Sequence, residues 1–160
     1  MKKTLGPRLP KFTEEEKKLL KGSSDFLGIN HYTSRYTTHG KIETPGWQRD
    51  TNTMIHLTDT NGKLIGKLEH PEWLYNVPWG FRKLLIYAFR KYRAPIYITE
   101  NGLAEVNDPN KPLEEALKDP HRISYYKDYL IEVHNAMKEG ADIRGYMAWS
   151  LMDNFEWADG

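Results

Sequence analysis

Glu100 is the first residue of this 160-residue chain to ask for a chemical explanation. It follows Ile96-Tyr97-Ile98-Thr99 directly. In such a β-rich run a charge is costly unless it faces a polar site or a counter-ion. Two readings fit: a carboxylate held for chemistry, or a strand-end carboxylate paired with an arginine such as Arg35 or Arg144. Two more polar clusters follow apolar runs. One is Asn30-His31-Tyr32, and the other is Trp149 with Asp153, Asn154, Glu156 and Trp157 beyond it. Strand alternation sets Asn30 and Tyr32 on one face and His31 on the other, so His31 reads as a hydrogen-bonded core histidine. The six histidines, at 31, 39, 56, 70, 121 and 134, include no ligand-like i, i+4 pair, and no metal site is expected. Phosphate-loop, dinucleotide and nucleophile-elbow motifs are absent from the sequence.

The elements that must position these residues are legible in outline. Thr13-Glu14-Glu15-Glu16 is a capping box opening a helix over 13–21. Residues 25–32 read as a buried parallel strand, because Phe26, Leu27 and Ile29 form a nearly continuous apolar run. Residues 34–77 read as a long polar loop, with a turn at Asp59-Thr60-Asn61-Gly62 that suits a small hairpin. The spacing of Phe81, Leu84, Leu85, Ala88, Phe89 and Tyr92 predicts a helix over 80–93. A strand over 96–100 follows. Asp119 and Pro120 open a helix over 120–139, whose apolar face is expected at Ile123, Tyr126, Leu130, Val133 and Met137. Gly140 ends it, and a strand over 143–149 runs into a loop over 150–160. Short helix-to-strand links and long strand-to-helix links are the rhythm of parallel α/β proteins, in which the three polar clusters share one end of the sheet. A closed (β/α)8 barrel needs about 250 residues. The expected fold is therefore a single α/β domain over 1–160 forming part of such a barrel.

Composition narrows the partners. The formal net charge is +1, which gives no electrostatic case for nucleic acid or an anionic membrane surface. The longest apolar run, Leu84 to Phe89, is far too short to span a bilayer. There is no cysteine, so disulfides and thiolate chemistry are excluded. With no apolar stretch behind Met1-Lys2-Lys3-Thr4, no signal peptide is expected, and the reading leans cytoplasmic. Aromatic residues reach 12%, and Trp47, Trp73 and Trp157 lie in loop-like surroundings. Most large rings fill cores, but rings in loops also stack on flat apolar faces such as those of sugars.

Three of these stretches resemble glycoside hydrolase family 1, the β-glucosidases and related enzymes. Ile-Tyr-Ile-Thr-Glu-Asn-Gly (96–102) is similar to the family's nucleophile motif. Residues 25–34 resemble its sixth barrel strand, and residues 145–160 its eighth strand and the sugar-binding loop after it. Trp73-Leu74-Tyr75 and Pro78-Trp79-Gly80 fit the stretch before its sixth helix. The resemblance implies strands six to eight of a (β/α)8 barrel, the C-terminal portion. It makes Glu100 the catalytic nucleophile, with Tyr32 donating to that carboxylate and holding it ionised and aimed, and Asn30 beside the acid/base region. Trp149 becomes the floor under the sugar, Glu156 the acceptor of paired sugar hydroxyls, Trp157 an indole donor, and Trp73 a weaker candidate on the leaving-group side. No cofactor is implied.

The sequence also departs from the family. A retaining glycosidase needs a nucleophile and a general acid/base about 5 Å apart, and the family carries the latter in an Asn-Glu-Pro motif that this sequence lacks. Three readings follow. The chain is the nucleophile-bearing portion of a retaining β-glycosidase acting on a β-glycoside or oligosaccharide, inactive alone. Or it is a sugar-binding pseudoenzyme. Or it is a structural half-barrel that pairs with a complementary half or a second copy.

Overall fold

A computed structural model describes residues 2–43, 46–106 and 108–157. In chain order its elements are α1 (Lys2–Leu5), a 3-10 turn (Gly6–Arg8), α2 (Glu14–Leu20), β1 (Leu27–Asn30), β2 (Tyr36–His39), α3 (Trp47–Thr51), β3 (Thr53–His56), β4 (Lys67–Leu68), β5 (Tyr75–Asn76), α4 (Pro78–Tyr92), β6 (Ile96–Asn101), α5 (Leu113–Ala116), α6 (Pro120–Lys138) and β7 (Ile143–Ala148). The expected strands and principal helices are present, with ends shifted by a few residues. The single domain expected over 1–160 divides into two compact units, Met1–Asp25 with Arg35–Ile65, and Phe26–Ser34 with Gly66–Gly160.

The first unit shows that much of the long polar loop expected over 34–77 is paired structure. β2 and β3 pair antiparallel, with Tyr36 opposite His56 and His39 opposite Thr53. Trp47, expected in a loop, begins α3 within the connection between these strands. Asp59-Thr60-Asn61-Gly62 is a turn, as its residues require. The Asp59 carboxylate accepts from the backbone of Asn61 at 2.8 Å and of Lys63 at 3.0 Å, which is the local bonding that makes Asp a turn former. It closes the isolated Thr58–Leu64 bridge, whereas the hairpin proper is β2–β3. The capping box forms as read: Thr13 Oγ1 accepts from Glu16 N–H, and Glu16 accepts from Thr13 N–H.

The second unit carries the three-stranded parallel sheet, ordered β1-β6-β7. One face is covered by α4 and α6. Ile96, Ile98 and Ile143 from the sheet meet Phe81, Leu85 and Ala88 from α4 and Tyr125, Tyr129, Val133 and Ala136 from α6. Fully burying a side chain of this size stabilises a fold by about 1.5–3 kcal/mol. Arg82 of α4 reaches Glu132 of α6 at 3.1 Å and Glu139, just past the end of α6, at 3.7 Å. α6 ends in a Schellman turn at Gly140 (φ +93°), where Ala141 N–H donates to Ala136 O and Gly140 N–H to Met137 O.

The apolar stripe expected on α6 is corrected. Ile123, Leu130 and Met137 are exposed, and the buried stripe is Tyr125, Tyr129, Val133 and Ala136. The side-chain hydroxyls decide the rotation of the helix. Tyr125 and Tyr129 Oη both donate to the carbonyl of Tyr32, at 3.0 and 3.1 Å, so these rings bury their bodies without orphaning their polar ends. On α4, Tyr92 is likewise exposed. Opposite the helices the sheet is open: Gly28, Asn30, Arg144 and Met147 are exposed.

Candidate active site

Strict alternation along β6 would send Glu100 inward with Ile96 and Ile98, against α4 and α6. It does not go there, because the strand carries an extra residue. Ile98 lies opposite Ile29, but Glu100 lies opposite Asn30, and Thr99 has no partner in β1. On the other side Ile98 lies opposite Tyr146 and Asn101 opposite Ala148, again one residue more in β6 than in its neighbour. A bulge re-aims the side chains that follow it. Asn101 therefore takes the inward position and is completely buried, and Glu100 turns to the open face. Gly102 then passes so close to the end of β7 that a Cβ would lie 2.0 Å from the carbonyl oxygen of Trp149, so only glycine fits.

On the open face Glu100, Asn30, Trp149, Phe155, Glu156 and Trp157 line a cleft of about 560 Å³. Tyr32 Oη donates to Glu100 Oε2 at 2.6 Å, a short charge-assisted bond across 68 residues of sequence. Burial, and then the Glu100 carboxylate, push the Tyr32 phenol above its ordinary range. It stays protonated and remains a donor. Thr99 Oγ1 donates to Asn30 Oδ1 at 2.5 Å and so fixes that amide beside the carboxylate. Trp149 Nε1 donates to Glu156 Oε2 at 3.0 Å. Trp149 lies just beyond β7 rather than within it.

Five of the residues expected at a site thus share one cleft, and Tyr32 reaches it through Glu100. Trp73 is not among the lining residues. Its ring meets that of Tyr32 edge-on, with centroids 6.2 Å apart. Arg144, considered as a counter-ion for Glu100, pairs instead with Asp142 at 2.8 Å. His31 is a core histidine as expected. It stacks on Phe81 with ring centroids 4.5 Å apart, and its Nε2 lies 3.1 Å from Ser34 Oγ. Burial lowers its pKa from 6.5 to about 4. Among the described residues no cluster of three His, Cys, Asp or Glu could hold a metal ion, and no helix is long and apolar enough to cross a membrane.

Sequence reasoning missed Phe155 and Thr99, and it placed Asn101 beside Glu100 in a polar cluster without giving it a role. The signal for Asn101 was present in the two consecutive polar residues ending an alternating Ile96/Ile98 strand. Strict alternation turns the first of the two, the charged one, toward the apolar helix side, so the pair is a signal for a bulge that reverses them. Part of the expected loop over 150–160 lies outside the described residues, from 158 onward.

This arrangement can be set beside known proteins. The chain matches the family model of Glycosyl hydrolase family 1 over residues 1–160 and belongs to that family. Along its whole length it is 46% identical to raucaffricine-O-β-D-glucosidase of Rauvolfia serpentina and 48% identical to β-glucosidase 1B of Phanerodontia chrysosporium, covering 31% and 29% of those proteins. A rice β-glucosidase structure superposes on 99% of the chain with a TM-score of 0.88 at 44% identity, and a Humicola insolens β-glucosidase in complex with glucose does so with 0.87 at 42%. The chain covers 34% of each. It thus spans about a third of the length of these relatives, and its α/β architecture is that of the matching third.

Proposed function

We propose that this chain supplies the nucleophile and part of the sugar pocket of a retaining β-glycosidase, as strands six to eight of its (β/α)8 barrel. The observation that carries the reading is the 2.6 Å bond from Tyr32 to Glu100 in a cleft that also holds Trp149, Glu156 and Trp157. Two relatives are β-glucosidases by name, and a rice β-glucosidase variant, 45% identical, was solved in a covalent complex with glucose.

In this mechanism the Glu100 carboxylate attacks the anomeric carbon as the glycosidic bond breaks, forming a glycosyl ester. Water then hydrolyses that ester with retention. Tyr32, bonded to Oε2, leaves Oε1 to attack and keeps the carboxylate aimed. Trp149 offers an apolar face under the sugar, Trp157 an indole donor, and Glu156 paired acceptors to sugar hydroxyls. The leaving oxygen needs a proton from a second carboxyl about 5 Å from the first. Since the sequence holds no Asn-Glu-Pro, the acid comes from outside these residues, and an ordinary alkyl glycoside is not turned over by this chain alone. The exposed sheet face favours a partner that completes the barrel, either a complementary half or a second copy.

The test is mass spectrometry after incubation with a 2-deoxy-2-fluoro glucoside bearing a dinitrophenolate leaving group, which departs without acid help. The chain is assayed alone and mixed with a polypeptide supplying the other five strands. An adduct on the peptide containing Glu100, absent from Glu100→Gln, supports the reading. An adduct elsewhere, or undiminished in Glu100→Gln, overturns it. Sugar binding without an adduct in either arrangement favours the pseudoenzyme. Light scattering across concentrations separates self-association from pairing with the complementary half.

A further inference from the structure

We infer that Asn101 is a positioning residue, which holds Glu100 in the cleft by occupying the inward slot at the end of β6 that Glu100 would otherwise take. The inference rests on Glu100 being the site's carboxylate. It concerns a residue that touches neither the cleft nor any ligand.

The slot selects for an amide. Asn101 Nδ2 donates to the carbonyl of His31 at 2.7 Å and to Tyr125 Oη at 2.9 Å, and its Oδ1 accepts from Tyr146 Oη at 2.6 Å. The slot thus presents two acceptors and one donor. An asparagine side chain has two donors and an acceptor in that geometry, and it meets all three demands. A carboxylate is acceptor-only when ionised. Placed there it would face the His31 carbonyl with no proton to give, in a completely buried position. Glu100 and Asn101 compete for one inward position, and the chemistry of the slot decides between them. The bulge at Thr99 is the geometric result.

The same residue ties together the groups that aim Glu100. Its backbone carbonyl accepts from Trp149 N–H at 2.9 Å, at the root of the loop that bears Glu156 and Trp157. Its bond to the His31 carbonyl fixes the residue just before Tyr32. Tyr125, which accepts from Asn101, donates its own hydroxyl to the carbonyl of Tyr32, and His31 N–H donates to the carbonyl of Glu100 at 3.0 Å. The Asn101 side chain therefore holds the His31 carbonyl and, through Tyr125, the Tyr32 carbonyl, while the Glu100 backbone is bonded to the same His31. Networks of this kind act as units and are apportioned only by double-variant cycles.

The test follows the ionisation of Tyr32 by ¹³Cζ NMR in the tyrosine-labelled chain, alongside urea unfolding. The variants are Asn101→Ala, Tyr146→Phe, Glu100→Gln and the Asn101→Ala/Glu100→Gln pair. Glu100→Gln should let Tyr32 ionise at lower pH. Asn101→Ala should lower it likewise, and the pair should go no lower than either single variant, because the coupling is already lost. Tyr146→Phe, which removes one donor to Asn101 and keeps the ring, should move Tyr32 the same way by less, and it decides the matter if Asn101→Ala does not fold. A Tyr32 titration unmoved by Asn101→Ala and Tyr146→Phe, while the urea midpoint falls, would make Asn101 an ordinary buried amide and overturn the inference. If Glu100→Gln itself leaves Tyr32 unmoved, the Tyr32–Glu100 bond is absent, and the active-site reading fails before the role of Asn101 arises.

Discussion

Glu100 and Trp157 line the same cleft, and they are held in opposite ways. The end of β6 is fixed from behind. Asn101 is fully buried and bonded at every polar atom of its side chain, two tyrosines of α6 hold the Tyr32 carbonyl, and Tyr32 holds Glu100. The loop after β7 is held by short-range bonds of its own. Ser150 Oγ donates to Met152 O at 2.5 Å, Asn154 Nδ2 donates to Ser150 Oγ at 2.7 Å, and Glu156 accepts from the Trp149 indole N–H. Arg122, which pairs with Asp119 and with Glu105, lies 3.7 Å from the fully exposed carboxylate of Asp153. Trp157 is 87% exposed. A reacting atom needs to be preorganised, because small displacements cost orders of magnitude in rate. Groups that grip a sugar through exposed hydroxyl contacts can be ordered by the ligand itself, at a cost in affinity.

The sharpest way to break this contrast is at its chemical centre. Glu100→Gln should abolish adduct formation with the activated fluoroglucoside in the completed barrel, read by mass spectrometry, while the urea midpoint of the isolated chain stays near that of the parent. Behind it, Phe81→Ala should destabilise the chain by about 3–5 kcal/mol, since Phe81 is completely buried and carries the His31 ring. Urea unfolding measures this loss, and a cost below about 1 kcal/mol would mean that the backing of β1 and β6 is not the rigid half.

pH should act on the rigid half as well. Burial holds the His31 pKa at about 4 in the folded chain against 6.5 when unfolded, so the unfolded chain takes up the proton first. The stabilising contribution is whole above about pH 6.5 and is lost as pH falls toward 4. The shift corresponds to about 3 kcal/mol at one-and-a-third kcal/mol per unit. Urea midpoints from pH 8 to pH 4 should fall in the parent and fall less in His31→Gln. A parallel fall in both would assign the acid sensitivity to other groups. The smallest effect belongs to the exposed side of the comparison. Trp157→Ala and Glu156→Ala should leave stability within about 0.5 kcal/mol of the parent, and weaken retention of a glucoside in the completed barrel. A large loss of stability from either would show the loop to be as built-in as β6.

Much of this protein is legible before folding is considered. Thr13-Glu14-Glu15-Glu16 dictates its capping box, Asp59 to Gly62 its turn, and Gly140 the end of α6, because each depends on bonds among neighbouring residues. The β-rich run before Glu100 and the family's motifs point to residues that the fold then gathers in one cleft, for the same reason: local composition is carried in order along the chain. The α6 stripe shows where such reading stops. Ile123, Leu130 and Met137 have the better hydrophobicity, yet Tyr125 and Tyr129 are buried, because a carbonyl 93 and 97 residues away accepts their hydroxyl protons. The aim of Glu100 is decided in the same way. Periodicity along β6 turns it inward. The His31 carbonyl, Tyr125 and Tyr146, brought together from the residue after β1, from α6 and from β7, accept an amide in that position and leave the carboxylate to the cleft. A hydrogen bond satisfied across the fold outweighs a preference of the strand, and no window of sequence contains both of its ends.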